Sequence, residues 1–283
     1  MSVIWLDPEN LSCDPAEARE AGTRLAEPYR SAAPFPHIVL DDFVSADLLS
    51  RIIAEWPSTE DKSFFDRSQE RLKYQWSRGE IASPFIRAFL AEMNSPGVIG
   101  FIEGLTGIKK LIPDPYFTGG GLHETKAGGH LSVHADFNVH TGMDLIRRIN
   151  LLIYLNEDWD EAFGGNLELW DERMEACVER VSPLLGRAVI FNTDADSFHG
   201  QPEPLACPPD SSRRSVALYY YTAAPDGVRN IRRRTTQFKP RPNTQDKTDW
   251  SVRINVFLDG WVPPLILSTA RRSSEAIRRR LPR

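Results

Sequence analysis

The chain has 283 residues, of which 41% are hydrophobic and 26% charged. That balance is ordinary for a globular protein and excludes a mainly disordered chain. The length suits one large domain or two modest ones. A net charge of -5 argues against general nucleic-acid binding, which depends on neutralising phosphates. No run approaches the ~20 apolar residues of a membrane-spanning helix, so neither a nucleic-acid nor a membrane partner is expected. The N-terminus lacks a basic start followed by an apolar run, so no secretory signal is expected. Cys13, Cys177 and Cys207 are odd in number and far apart, which fits neither a disulfide framework nor a zinc pattern. They read as free thiols in a reducing, cytoplasmic setting. Oligomeric state is not legible at this level.

Residues 14–31 read as a polar helix rich in Ala, Glu and Arg. Pro34, Pro36 and His37 lead into a short strand, Ile38-Val39-Leu40. Residues 45–55 place Leu48, Leu49, Ile52 and Ile53 at helical spacing, with Ser45 as N-cap. Two further helices fall within 84–105, broken near Ser95-Pro96-Gly97. A helical N-terminal region over residues 1–110 is therefore expected, packed on a core that follows. From residue 111 to 225 the apolar runs become short and rich in β-branched and aromatic residues. They read as strands at 121–126, 130–137, 147–155, 166–170, 177–182, 186–192, 197–200 and 213–222. Many short strands at this spacing predict a mainly β protein with flanking helices and a jelly-roll core. Residues 226–283 read as an extension, partly helical and basic, that ends in a solvated terminal stretch.

Five of the six histidines, His123, His130, His134, His140 and His199, fall in the middle of the chain. His134 and Asp136 stand two apart in HLSVHADFNVH, so on a strand they share a face. Imidazole plus carboxylate suits a borderline divalent metal such as Fe(II). Two histidines and one carboxylate leave three coordination positions open, the arrangement of non-haem iron oxygenases. The third ligand needs a second strand, and His199 qualifies, since it follows the strand Ala188-Val189-Ile190-Phe191. Arg213-Arg214-Ser215 opens a later strand, where an arginine can grip the far carboxylate of a bound diacid through its fork. Alternation favours Arg213, which shares its face with the small residues Ser215 and Ala217. Arg214 shares its face with Val216 and Leu218 and is the fallback.

The run HxD…RRINLLIYLNEDWDEAFGGNLELWD…SFHG…RRSVALYYYT resembles the iron(II)/2-oxoglutarate-dependent oxygenases, specifically the prolyl-hydroxylase-like group. The opening PFPHIVLDDF resembles the lead-in of bacterial members, and the likeness covers roughly residues 34–223. It implies a double-stranded β-helix core, Fe(II), 2-oxoglutarate as cosubstrate and O2, with ascorbate as a stimulant. It implies His134, Asp136 and His199 as metal ligands and catalytic residues. Arg213, Tyr154 and Ser215 become the cosubstrate residues, with Tyr154 matching a position whose hydroxyl often reaches the cosubstrate carboxylate. A core tyrosine with a satisfied hydroxyl is an equal reading of Tyr154. The departure from the family is the insertion PEPLACPPDSS between His199 and Arg213. Members that halogenate lack the carboxylate ligand, so Asp136 favours hydroxylation.

Asn150 and Leu152 share the face of Tyr154 and read as pocket-lining, and His123 and Thr125 as facing the cosubstrate, with an ordinary structural role the stronger reading for His123. His130 shares the parity of His134. His140 reads as lying on the loop before Arg147, near substrate. Arg147 and Arg148 read either as meeting an acidic group of the substrate or as surface residues. Gly164-Gly165 reads as a turn before a strand. The substrate loops are expected at 137–147 and in the N-terminal region. The function expected is hydroxylation of an unactivated C–H of a prolyl residue, an amino acid or a natural-product intermediate, with a small-molecule, carrier-bound or peptidyl substrate. Two competing classes are a cupin-like metalloenzyme that uses His130 and no 2-oxoglutarate, and a non-catalytic jelly-roll binding module.

Overall fold

The structure is a computed structural model that describes residues 2–59, 63–140, 142–224, 233–244 and 246. Most of the 226–283 extension, including the basic stretch 270–283, lies outside the described residues.

Helices begin where capping residues precede helix formers. Asp14 caps α1 (Pro15–Arg24), accepting from the backbone of Ala16 and Glu17. The predicted 14–31 helix breaks at Leu25, and α2 (Ala26–Ser31) follows. Ser45 caps α3 (Ala46–Ala54) as expected. Ser83 and Ser95 cap α4 (Pro84–Glu92) and α5 (Pro96–Thr106), each with a proline in the first turn, where its missing N–H costs nothing. α5 ends at Gly107 in the left-handed conformation. Glycines let α1 and α5 pack almost backbone to backbone. A Cβ on Gly22 would stand 2.1 Å from the Phe101 carbonyl oxygen, and one on Gly104 would stand 2.5 Å from that of Arg19.

The N-terminal region is less helical than its sequence suggests. It contributes strands β1 (His37–Leu40), β2 (Ser63–Phe65) and β3 (Glu70–Trp76). Thereafter come β4 (Ile112–Pro113), β5 (Gly121–Ala135), β6 (Val139–His140), β7 (Leu145–Tyr154), β8 (Leu167–Trp170), β9 (Cys177–Val181), β10 (Ala188–Asn192), β11 (His199–Gln201), β12 (Ser212–Thr222) and β13 (Gln237–Phe238). The strands form an antiparallel jelly roll in the order β1-β10-β7-β12-β5-β11-β8-β9. β3 and β13 also pair with β5.

The predicted strands 121–126 and 130–137 are one strand, β5, which carries Gly128 at φ 78°. Its first half pairs with β12 and β3, its second half with β11. One strand thus belongs to both faces of the roll. Alternation along β7 and β12 separates two environments. Ile149, Leu151, Ile153, Val216, Leu218 and Tyr220 enter the main core with Phe43, Leu49, Phe89 and Phe101 of the helical side. Asn150, Leu152, Arg213, Ser215 and Tyr219 line the interior of the roll.

Gly22→Ala would gain up to ~1 kcal/mol in an isolated helix. Here the methyl meets a rigid carbonyl, so the substitution is expected to lower the unfolding free energy by ~1–3 kcal/mol. Urea denaturation reads the sign directly, and a stabilised variant would refute the close α1–α5 contact.

Candidate metal centre and active site

His134 stands near the end of β5, Asp136 just beyond it, and His199 opens β11, directly across from His134 in the register. Ligand atoms of the three lie within 4.8 Å of one another. His134 Nε2 is 3.6 Å from Asp136 Oδ1, and His199 Nε2 is 3.5 Å from Oδ2. These separations exceed normal hydrogen-bond lengths. The other ring nitrogens are engaged: Nδ1 of His134 contacts the Ser132 carbonyl at 2.9 Å, and Nδ1 of His199 the Ser197 carbonyl at 3.0 Å. A carbonyl only accepts, so each Nδ1 carries the proton and each Nε2 keeps a bare lone pair. Backbone carbonyls orient metal-binding histidines in this way. Two imidazole lone pairs and a carboxylate converging on one point fit a divalent transition metal.

Electrostatics prepare the same state. Burial pushes His199 down to about 4, assisted by the neighbouring His134. Burial alone would raise the Asp136 carboxyl. The Arg147 guanidinium, His134 and His199 together outweigh it and hold the carboxyl well below the usual range. Arg147 is only 2% exposed. Its Nη2 lies 2.9 Å from Asp136 Oδ2, and it donates twice to Asn150 Oδ1, at 3.0 and 2.7 Å. Asn150 in turn donates to Asp136 Oδ2 at 2.8 Å. Oδ2 is thereby occupied, and Oδ1 is the oxygen left open to a metal. The guanidinium also stacks over the Tyr219 ring at 3.5 Å.

Arg147 is therefore not a surface residue, although it also lines the cavity. It is the counter-charge of the carboxylate. Strict alternation would send it into the apolar core with Ile149 and Leu151. The register slips between Tyr220 and Tyr221, which face Ile149 and Arg147 respectively. The extra residue, Arg148, is a β-bulge that turns Arg147 onto the Asn150 face.

A cavity of about 300 Å³ joins the triad to the second predicted cluster. Arg213 lines it, donates through Nε to the Gly165 carbonyl at 2.7 Å, and donates through Nη2 to the Tyr154 hydroxyl at 3.2 Å. Gly165 thus has a role beyond its turn: at φ 78° it presents that carbonyl, and a Cβ there would meet Arg213 Cδ at 3.1 Å. Ser215 stands between Tyr154 and His123 in the register. Tyr154 is fully buried. Arg214 points the other way, toward Glu124 at 3.7 Å and the Trp56 ring at 5.1 Å. The alternation argument for Arg213 agrees with this placement.

Three other histidines divide. His123 lines the cavity with Thr125. His130 does not join the metal group; its Nε2 contacts the Ser68 carbonyl at 3.2 Å. A register slip in the β5–β11 ladder, between the pairs His199–His134 and Gln201–Leu131, breaks the parity that linked it to His134. His140 sits in β6, not on a loop, and is buried. Its Nε2 contacts Thr118 Oγ1 at 2.9 Å, and Nδ1 accepts the Met143 N–H at 3.0 Å. Sequence reasoning missed the β2–β3 hairpin: Phe65, Arg67, Glu70, Lys73 and Gln75 line the cavity. Short alternation over 70–76 is its only signal. Thr236 and Phe238 line it too, and the Phe238 ring lies 5.4 Å from that of His134.

Residues 120–221 match the family profile described as the 2OG-Fe(II) oxygenase superfamily. The prolyl 3-hydroxylase OGFOD1 of Mus musculus is 32% identical over 79 residues, which make up 26% of this chain and 14% of that protein. The chain therefore matches a small part of that relative. In structure it is similar to a Pseudomonas putida prolyl-4-hydroxylase, with a TM-score of 0.53, 17% identity, and 72% of this chain and 100% of the other covered. It is also similar to a Trichoplax adhaerens prolyl hydroxylase solved with a hypoxia inducible factor peptide fragment, at TM-score 0.53 and 16% identity, covering 73% and 91%. At such identities the likeness is one of fold.

Two outcomes follow from the charges. Since His199 in the metal-free protein protonates only near pH 4, against ~6.5 unfolded, the unfolded chain binds more protons between those limits. This contribution to stability is full above ~6.5 and is lost as pH falls toward 4, up to ~3 kcal/mol. Denaturation of the metal-free protein across that range should show the slope, and His199→Asn should flatten it. Arg147→Met strands a buried carboxylate and should cost ~3 kcal/mol. Asp136 then holds its proton more tightly, so Ni(II) affinity should fall more at pH 5.5 than at pH 7.5. An equal loss at both would refute the counter-charge role.

Proposed function

Because the chain belongs, through residues 120–221, to the 2OG-Fe(II) oxygenase superfamily and carries a prolyl-hydroxylase-like fold, we propose that it hydroxylates an unactivated C–H bond of a prolyl residue. It is an iron(II)- and 2-oxoglutarate-dependent dioxygenase. The observation that carries the site assignment is the convergence of His134, Asp136 and His199 on a cavity that Arg213 and Ser215 also line, with Arg213 hydrogen-bonded to the buried Tyr154 hydroxyl behind it.

In this reading His134, Asp136 and His199 would hold Fe(II), Asp136 through Oδ1. Arg213 and the Tyr154 hydroxyl receive the far carboxylate of 2-oxoglutarate, and the small Ser215 leaves room beside them. When bound, iron and 2-oxoglutarate supply the oxidation of a C–H bond by O2, with succinate and CO2 as co-products. The protein's own work is orientation and exclusion of water. Asn150 and Arg147 keep Asp136 ionised and aimed. Burial keeps Tyr154 protonated, against the opposing pull of Arg213, so its hydroxyl remains a donor. The prolyl class is supported by the names of the similar proteins. The three unpaired thiols support a cytoplasmic setting.

The experiment is succinate formation from 2-oxoglutarate by iron-loaded protein, followed by a screen of prolyl peptides, free amino acids and carrier-bound intermediates for the mass of one added oxygen. Addition to prolyl peptides supports the reading, and addition confined to another class replaces the substrate. Arg213→Leu is expected to raise the 2-oxoglutarate KM by ~10-fold or more, the scale of losing a charge-assisted hydrogen bond. Arg214→Leu should change it by less than ~3-fold. The reverse pattern would overturn the assignment.

A further inference from the structure

His123 is the one cavity-lining histidine that the metal triad leaves without a role. Its Nε2 is buried and has no hydrogen-bond partner. Backbone hydrogen bonding to Gly119 and Gly120 engages the ring, and a neutral imidazole that donates from Nδ1 leaves Nε2 as a bare acceptor. A buried, unpaired polar nitrogen is costly, so its presence beside a cavity points to a partner that arrives from outside.

The sheet register says which partner. Two rows of side chains cross the strands on this face. In one, Lys73 of β3, Thr125 of β5 and Arg213 of β12 stand side by side. In the next, Gln75, His123, Ser215 and Tyr154 do the same. Arg213 bridges the rows through its bond to the Tyr154 hydroxyl. His123 is thus a diagonal neighbour of Arg213, within reach of a group that Arg213 holds. The ionisable groups that face it are Lys73 on β3, itself paired with Glu70 at 2.9 Å, Arg213 on β12 and Tyr154 on β7. Burial, then the charges of Lys73 and Arg213, keep the ring neutral. An anion placed among these groups cancels that repulsion.

We infer that His123 is a further positioning residue for the cosubstrate: when the far carboxylate of 2-oxoglutarate seats on Arg213, His123 takes one proton from solvent and donates it from Nε2 to that carboxylate. This inference rests on the reading of Arg213 and Tyr154 as the cosubstrate subsite. Binding is then proton-coupled. One proton passes from a buffer acid, which leaves as its conjugate base, to Nε2; no bond of the cosubstrate breaks, and its far carboxylate meets Arg213 and an imidazolium.

Calorimetry of the Ni(II)-loaded full chain tests it, with 2-oxoglutarate titrated in without O2. The same titration is run in phosphate and in Tris, whose ionisation enthalpies differ widely. Wild type is expected to take up close to one proton per 2-oxoglutarate at pH 7.5, with Kd weakening by up to ~10-fold per pH unit as pH rises. His123→Gln, which keeps a hydrogen-bonding amide, should bind ~10-fold more weakly near pH 7, with no proton uptake and a flat pH profile. His123→Asn serves if the first variant does not fold. Equal proton uptake in wild type and variant, or none in wild type, overturns the role of His123. A wild type that does not bind 2-oxoglutarate at all overturns the cosubstrate reading and this inference with it.

Discussion

The pairing of Arg147 with Asp136 is the constraint on which the rest of the site depends. A carboxylate inside an apolar roll would take up a proton rather than remain charged, and a protonated acid is a poor metal ligand. The guanidinium at 2.9 Å, together with the two histidines, prevents this, and Asn150 closes the contact by bonding both partners. Because Oδ2 is consumed in that arrangement, the carboxylate offers one oxygen in one direction. The histidines are prepared by a different means, since their Nδ1 protons are spent on backbone carbonyls. Charge holds one ligand and tautomer the other two, and both act before any metal arrives.

The architecture serves the same end. β5 carries His134 at one end and His123 with Thr125 at the other, so the triad and the residues beside Arg213 share one strand. Its antiparallel partners close the arrangement. β11 brings His199 opposite His134, and β12 brings Arg213 opposite Thr125. Distances between the two groups are therefore set by sheet geometry rather than by loops, which makes the cavity rigid. The opposite faces of β7 and β12 are consumed by the hydrophobic core, so rotation of either strand would bury charge and expose Ile and Leu.

Much of the grouping of the candidate site's residues was legible in the chain. A two-residue spacing on a strand joined His134 to Asp136, and the same alternation preferred Arg213 to Arg214, because both rest on the period of an unbroken strand. The readings that failed rest on broken periods. A bulge at Arg148 turned Arg147, whose sequence reading offered a substrate contact or the surface, into the partner of Asp136. A register slip in β5 took His130 away from the metal face. The β2–β3 hairpin, in a region that reads as helical, supplies five of the residues that line the cavity.

Residue identity and alternation thus determined the jelly-roll class, the metal ligands expected on it and the arginine facing the cavity, since each depends only on near neighbours in the chain. Tertiary structure decided how the carboxylate stays ionised, which histidines stand apart from the metal, and that His123 and Arg213 lie diagonally across two strands. Those relations come from bulges and pairings between segments far apart in sequence. No local pattern encodes a register slip, because the extra residue is defined only against its partner strand.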